Sequence, residues 1–297
     1  MKAGLAVVLA LVAAPVLAQQ DFSKVEVKAE KVAEGIYMLT GSGGNLGLSV
    51  GRSGTYLIDD QYAPLTEKIL AAIRVITPDP VRFVVNTHWH PDHTGGNELL
   101  ARAGAVIVAH DDVRVRLATP QNLPAYETRV PASPRSALPV VTFDDTLTLH
   151  LNGDRLTLLH VPSAHSDGDV LAWWEDANVV HLGDVYYADA YPFVDVAGGG
   201  SLAGLVAAIE TVLSRADAET VVVPGHGPVG GRADLAAYRD MLVTVGTRVR
   251  ALVEQGRSAD EVVAARPTAT LDERYGKGGA SADRFVRMLY EDLAARR

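Results

Sequence analysis

The chemistry available to this chain is concentrated in one stretch, Asn86-Thr87-His88-Trp89-His90-Pro91-Asp92-His93-Thr94-Gly95-Gly96. Four side chains able to hold a metal, His88, His90, Asp92 and His93, fall within six residues. His88 and His90 are two apart, so in an extended segment both imidazoles point the same way. Pro91 then turns the chain, and Asp92 and His93 follow the turn. Imidazoles with a carboxylate suit Zn²⁺, with iron or manganese as alternatives. An apolar strand pattern (Val81–Val85) precedes the cluster and a helical pattern (94–102) follows it. The cluster therefore lies in a connection, where functional groups concentrate.

Three later residues share that placement. His165 follows a strand pattern at 155–161, Asp184 follows 179–182, and His226 follows Val221–Val223. Glycines close by, as in Gly183-Asp184 and Gly225-His226-Gly227, permit close backbone approach. One His or Asp at a strand end is ordinarily a hydrogen-bonding residue. Four strand ends that deliver the same ligand types define a site. His110 reads instead as a cap or loop residue, and His150, His160 and His181 lie inside strands in structural roles.

The elements that must position these residues alternate between strand and helix. Strand patterns at 46–50 and 55–58 flank a glycine-containing turn. Pro64 opens a helical pattern that runs to Ile76, with Leu65, Ile69, Ala72 and Ile73 on one face. A strand pattern at 105–108 follows. Segments 146–151 and 155–161 form a hairpin about Asn152-Gly153. Further strands at Val170–Trp174 and 179–182, a helix at 202–213 and a mainly helical tail from about Arg232 complete an α/β class with a mixed sheet. The Gly-rich segment Gly41–Asn45 and the Pro-rich segment 120–139 read as loops beside the site, the second as a candidate lid.

Composition narrows the function. The 297 residues carry 27 Lys and Arg against 36 Asp and Glu, a net charge of −9, which argues against a nucleic-acid partner. With no Cys, disulfides, thiolate ligands and Cys nucleophiles are excluded. Lys2 precedes an uncharged run ending in Val16-Leu17-Ala18, a secretory signal pattern over residues 1–18 too short for a membrane span. The expectation is a periplasmic or secreted single domain, 19–297, that has no membrane partner after cleavage and acts on a small-molecule substrate.

The order His-x-His-x-Asp-His, then His165, Asp184 and Gly-His226-Gly, resembles the metallo-β-lactamase superfamily from about Gly41 to Gly227. The resemblance implies a four-layer αββα sandwich with mixed sheets. It assigns His88, His90 and His165 to one zinc ion, Asp92, His93 and His226 to a second, and Asp184 to both. It gives Asp59 the role of orienting ligands and Asp92 that of a catalytic proton carrier beside a metal-bridging hydroxide. It implies a hydrolase. A bridging Asp184 resembles glyoxalase II and lactonase relatives, whereas β-lactamases of this kind usually carry Cys or Ser there. Where the Cys-type enzymes place a substrate-gripping Lys, this chain has Tyr187. Export favours a β-lactam-type ring or another external amide or ester. A lactonase, thioesterase, phosphoesterase or iron-loaded oxidoreductase on the same fold is the alternative. Tyr187 and Tyr191 follow Asp184 closely and are expected at the substrate, with Arg129 or Arg135 of the Pro-rich segment as candidate carboxylate grips against an ordinary surface role.

Overall fold

The computed structural model describes residues 21–296. The signal pattern at 1–18 lies outside the described residues. Four strands open the chain as an antiparallel meander: β1 (Lys28–Ala33), β2 (Ile36–Thr40), β3 (Leu46–Gly51) and β4 (Gly54–Ile58). Helix α1 (Thr66–Ile76) then crosses to β5 (Val81–Val85), which pairs parallel with β4. Helices α2 (Pro91–Thr94) and α3 (Asn97–Arg102) cross to β6 (Val106–His110), also parallel. Helix α4 (Asp111–Leu117) leads to a separate hairpin, β7 (Gln121–Leu123) with β8 (Thr128–Val130), before β9 (Val141–Phe143) closes the first sheet at its edge.

The second sheet runs β10 (Thr146–Leu151), β11 (Asp154–His160), β12 (Val170–Trp174), β13 (Val179–His181), β14 (Val221–Val223) and β15 (Gly230–Gly231) in spatial order. The β10–β11 turn is the expected Asn152-Gly153, both with positive φ (53° and 82°), as that two-residue turn requires. Helix α5 (Leu202–Arg215) crosses from β13 to the parallel β14. The tail is helical: α6 (Arg232–Glu254), α7 (Ala259–Ala264), α8 (Asp272–Tyr275) and α9 (Ala282–Ala295).

Three apolar layers separate four structural layers. Alternation along the buried strands builds them: Leu57, Val84 and Ile107 face α1, while Ile58, Val85 and Val108 face the second sheet. Val179 and Val223 meet them from across the sandwich, and Val180 and Val222 point outward against α5 and α6. Each fully buried aliphatic side chain of this size contributes about 1.5–3 kcal/mol. The result is the αββα sandwich with mixed sheets.

Two segments differ from the sequence reading. The helix expected over 94–102 is broken at Gly95-Gly96, because the Gly96 N–H donates to Asp60 Oδ1 (2.8 Å) outside the helix. The Pro-rich segment 120–139 is not a featureless loop. It contains the β7–β8 hairpin, whose short strands periodicity alone does not reveal.

Candidate metal centre

Every residue singled out as a ligand follows the C-terminal end of a strand, β5, β11, β13 or β14, and all of these ends open on the same edge of the sandwich. Pro91 begins α2, whose single turn lifts Asp92 and His93 beside His88 and His90. Two backbone bonds fasten the sheets together there: Asn45 N to Gly225 O (2.6 Å) and Val170 N to Thr87 O (2.8 Å).

The side chains form two groups. In the first, His90 Nδ1 lies 3.1 Å from His88 Nε2 and 2.9 Å from His165 Nε2. The three rings stand nearly perpendicular to one another, at 82–88°. In the second, His226 Nε2 lies 3.4 Å from His93 Nε2 and 3.4 Å from Asp92 Oδ2. Asp184 sits between them and faces both ways. Its Oδ2 is 3.8 Å from His88 Nε2 and 3.7 Å from His165 Nε2, and its Oδ1 is 3.0 Å from His93 Nε2 and 3.2 Å from His226 Nε2.

The outer ring nitrogens fix which lone pairs point inward. His90 Nε2 meets Asp195 Oδ2 (3.1 Å), His93 Nδ1 meets Asp59 Oδ2 (2.7 Å) and His165 Nδ1 meets the Phe193 carbonyl (2.8 Å). Carboxylates and carbonyls only accept, so each of these nitrogens donates. His88 Nδ1 lies 3.0 Å from Thr87 Oγ1, whose own proton goes to Asp59, so it donates as well. The inner nitrogens of the first group are then bare lone pairs 2.9–3.1 Å apart. Such an arrangement is repulsive until a cation lies between them, and it is the outer-shell pattern of metal-ligating histidines. The donor set fits a divalent metal.

Charge says the same. Burial drives His88 well below the usual imidazole range and His165 down to about 4, so both are neutral ligands. Burial also disfavours charge on His93 and His226. Asp184 and Asp92 outweigh it, raising His93 well above its usual value and His226 to about 9. The same contacts overcome burial at Asp184 and hold that carboxylate well below its ordinary range. In metal-free protein, protons on His93 and His226 occupy the place of a cation.

Close packing holds the ligands. A Cβ at Gly44 would fall on the His93 ring, and one at Gly225 on Asp184 Oδ1, so both positions require glycine. The Gly41–Asn45 segment is thereby a backing for the site, pinned by Asn45 Nδ2 donating to the carbonyls of Pro224 and Gly227. Asp59, at φ 60° in the left-handed region, accepts from Thr87 N (2.7 Å), the Thr87 hydroxyl and His93. Backbone strain of this kind is characteristic of functional sites.

The two tyrosines part company. Tyr187 lines the cavity above the site, stacks on His226 (4.8 Å, 19°) and donates its hydroxyl to Asp184 Oδ2. Tyr191 does not reach the cavity. Its fully buried ring stacks on Phe285 (5.0 Å) and its hydroxyl donates to Asp272, which corrects the expectation of substrate contact. The sequence does not single out Asp195 or Thr87: Asp195 belongs to no motif and is 105 residues from its partner His90, and Thr87, though next to His88, is not itself a ligand type. His110, as expected, caps α4 through Nδ1. With Asp112 and His160 it forms a third cluster, but its ring stacks at 15° on His160, so their lone pairs run parallel and do not converge.

The cavity has a volume of about 890 Å³. Asp92, Asp184 and His226 lie at its floor, and Tyr126, Val130 and Phe193 are among its walls. A sandwich whose strand ends gather this many imidazoles and carboxylates around an open cavity defines a candidate divalent-metal centre. The chain belongs to the metallo-β-lactamase superfamily, which it matches over residues 41–226. It is 27% identical over 237 residues to a linear primary-alkylsulfatase from Pseudomonas sp. (strain ATCC 19151), covering 67% of this chain and 45% of that protein. It is 25% identical over 149 residues to a metallo-β-lactamase type 2 of Bacteroides fragilis, covering 50% and 54%. The chain thus spans about half the length of these curated relatives. Among solved structures, its fold resembles a metallo-β-lactamase from Pontibacter korlensis (TM-score 0.60, 23% identity, 73% of this chain and 99% of that one). It also resembles the inverting sec-alkylsulfatase Pisa1 from Pseudomonas sp. (TM-score 0.69, 18% identity, 89% and 50%).

Proposed function

We propose that the protein is an exported di-zinc hydrolase that opens a small amide or ester, with a β-lactam-type ring as the first substrate to test. The observation that carries the two-ion reading is Asp184, whose oxygens face the two ligand groups separately. His88, His90 and His165 would hold one ion, Asp92, His93 and His226 the other. When bound, the pair supplies Lewis acidity and a water that ionises near neutral pH.

The chain's own residues do the rest. Asp195, Asp59, Thr87 and the Phe193 carbonyl fix the imidazole tautomers, so the ligands need little reorganisation. Asp92 is one fifth exposed at the cavity floor, and neighbouring His93 and His226 outweigh its burial and keep it ionised. That ionisation holds for the metal-free protein; with metal bound, the position of the carboxylate at the cavity floor would let it take the nucleophile's proton and return it to the leaving group. Tyr187 steadies Asp184 from the cavity side. The apolar walls offer a surface for the body of the substrate.

A second reading, hydrolysis of an alkyl sulfate ester, is favoured by the 27% identical alkylsulfatase relative together with those walls. Both readings are tested with zinc-loaded protein on a chromogenic cephalosporin, a carbapenem, a nitrophenyl ester and dodecyl sulfate, with His90→Ala as control. Zinc-dependent kcat/KM of about 10⁴ M⁻¹s⁻¹ or more on a lactam supports the first reading, and on dodecyl sulfate alone the second. No zinc-dependent turnover on any of the four overturns both readings.

A further inference from the structure

The cavity wall carries a charge that the ligand groups do not use. Arg129 lies on β8, opposite Asn122 of β7, and is among the residues lining the cavity. Other arginines of this chain hold carboxylates: Arg116 binds Asp167, Arg215 binds Glu175 and Arg274 binds Asp189. The Arg129 side chain has no hydrogen bond, ion pair or ring contact among the described residues. The guanidinium of Arg284 stands 4.7 Å over the ring of Tyr126, another residue lining the cavity, and so is engaged with that ring. A chain of net charge −9 therefore places one cation without a carboxylate partner, Arg129, at the lining of a largely apolar cavity.

We propose that the substrates of this cavity are amphiphilic anions: esters or amides with an apolar body and, remote from the scissile bond, a carboxylate or sulfo group gripped by Arg129. The inference rests on the hydrolase reading and deepens it to a substrate class. The physical reason is desolvation. A ligand that fills the cavity covers the Arg129 guanidinium along with Tyr126, Val130 and Phe193. A neutral ligand leaves that charge without water and without a partner, a penalty that works against binding. A ligand with an anionic group replaces the lost water with a charge-assisted, bidentate contact, for which the planar guanidinium is suited. The apolar walls take the body, and the floor groups take the bond to be cleaved.

The test is calorimetric titration of zinc-loaded protein with octane-1-sulfonate, octanoate and octan-1-ol, repeated with Arg129→Ala and Arg129→Lys. Sulfonate is a poor metal ligand, so it reports on the wall and not the floor. The anions are expected to bind at least about tenfold tighter than the alcohol, the lower end for a charged contact because Arg129 is exposed. Arg129→Ala should remove about that factor for the anions, and Arg129→Lys should keep most of it. The tighter of the two anions identifies the head group. Unchanged anion affinity in Arg129→Ala, or sulfonate affinity that vanishes on chelating zinc and not on removing the arginine, overturns the proposal. Turnover of mono(4-nitrophenyl) octanedioate, an ester that carries the remote carboxylate, is measured alongside. Its absence counts against the hydrolase reading, while the titrations still decide the grip.

Discussion

Replacing Asp195 by Asn tests whether the first ligand group is organised from outside. Asp195 is 1% exposed. Its Oδ2 accepts from His90 Nε2 at 3.1 Å, while Oδ1 accepts from Gly198 N at 2.8 Å. Burial raises its pKa, but the His90 contact and the Gly198 N–H more than offset this, so the side chain is a carboxylate. As a carboxylate it fixes the His90 tautomer and makes Nδ1 a stronger donor toward the metal. Asn keeps the shape and can keep the Gly198 bond, but removes the charge. Loss of such an outer partner typically lowers metal affinity 10–100-fold, about 1.4–2.8 kcal/mol. Only the group containing His90 should feel it, because Asp59, not Asp195, supports His93. Stepwise zinc affinities from competition with a chromophoric chelator read the two sites separately. One weakened step and one unchanged step is the expected result. Equal loss at both steps would mean general loosening, and no loss at either would refute the reasoning.

Three further outcomes follow from the same geometry. Asp92→Asn should lower turnover per bound metal roughly 10²–10⁴-fold, the usual scale for a lost proton carrier, and an unchanged rate per metal would remove Asp92 from the chemistry. Gly44→Ala should push on the His93 ring, costing about 1–3 kcal/mol in urea unfolding, and wild-type stability would show that the loop yields freely. In metal-free protein, His93 and His226 have pKa values raised above 6.5, His226 to about 9. Stability from a raised folded pKa is complete below about 6.5 and lost as pH climbs toward 9. Chelated protein should therefore lose Tm between pH 6.5 and 9 relative to zinc-loaded protein, in which metal replaces those protons. A pH-independent difference would contradict the charge pattern.

The ligand types and their strand-end positions were legible in the sequence because local rules carry them. Alternation places His88 with His90, Pro91 forces the turn, and apolar triplets such as Val221–Val223 mark the strands that end at the site. What could not be read depends on contacts between distant segments. Asp195 reaches His90 across 105 residues from a segment that carries no motif of its own. Tyr187 and Tyr191 are four apart and equally close to Asp184 in sequence, yet the chain turns between them, leaving one over the cavity and the other under α9. The break at Gly95-Gly96 depends on Asp60, supplied by the end of β4. The β7–β8 hairpin that carries Arg129 has three-residue strands, too short for a periodic signal.

The central claim is that Asp184 joins two metal ions. It is tested most directly by counting zinc per chain, by mass spectrometry of metal-loaded and desalted protein, in the wild type and in Asp184→Asn. The account predicts two zinc ions in the wild type and clear loss at both positions in the variant, because the two oxygens face different groups. Two ions retained in Asp184→Asn, or none bound by the wild type, would contradict it.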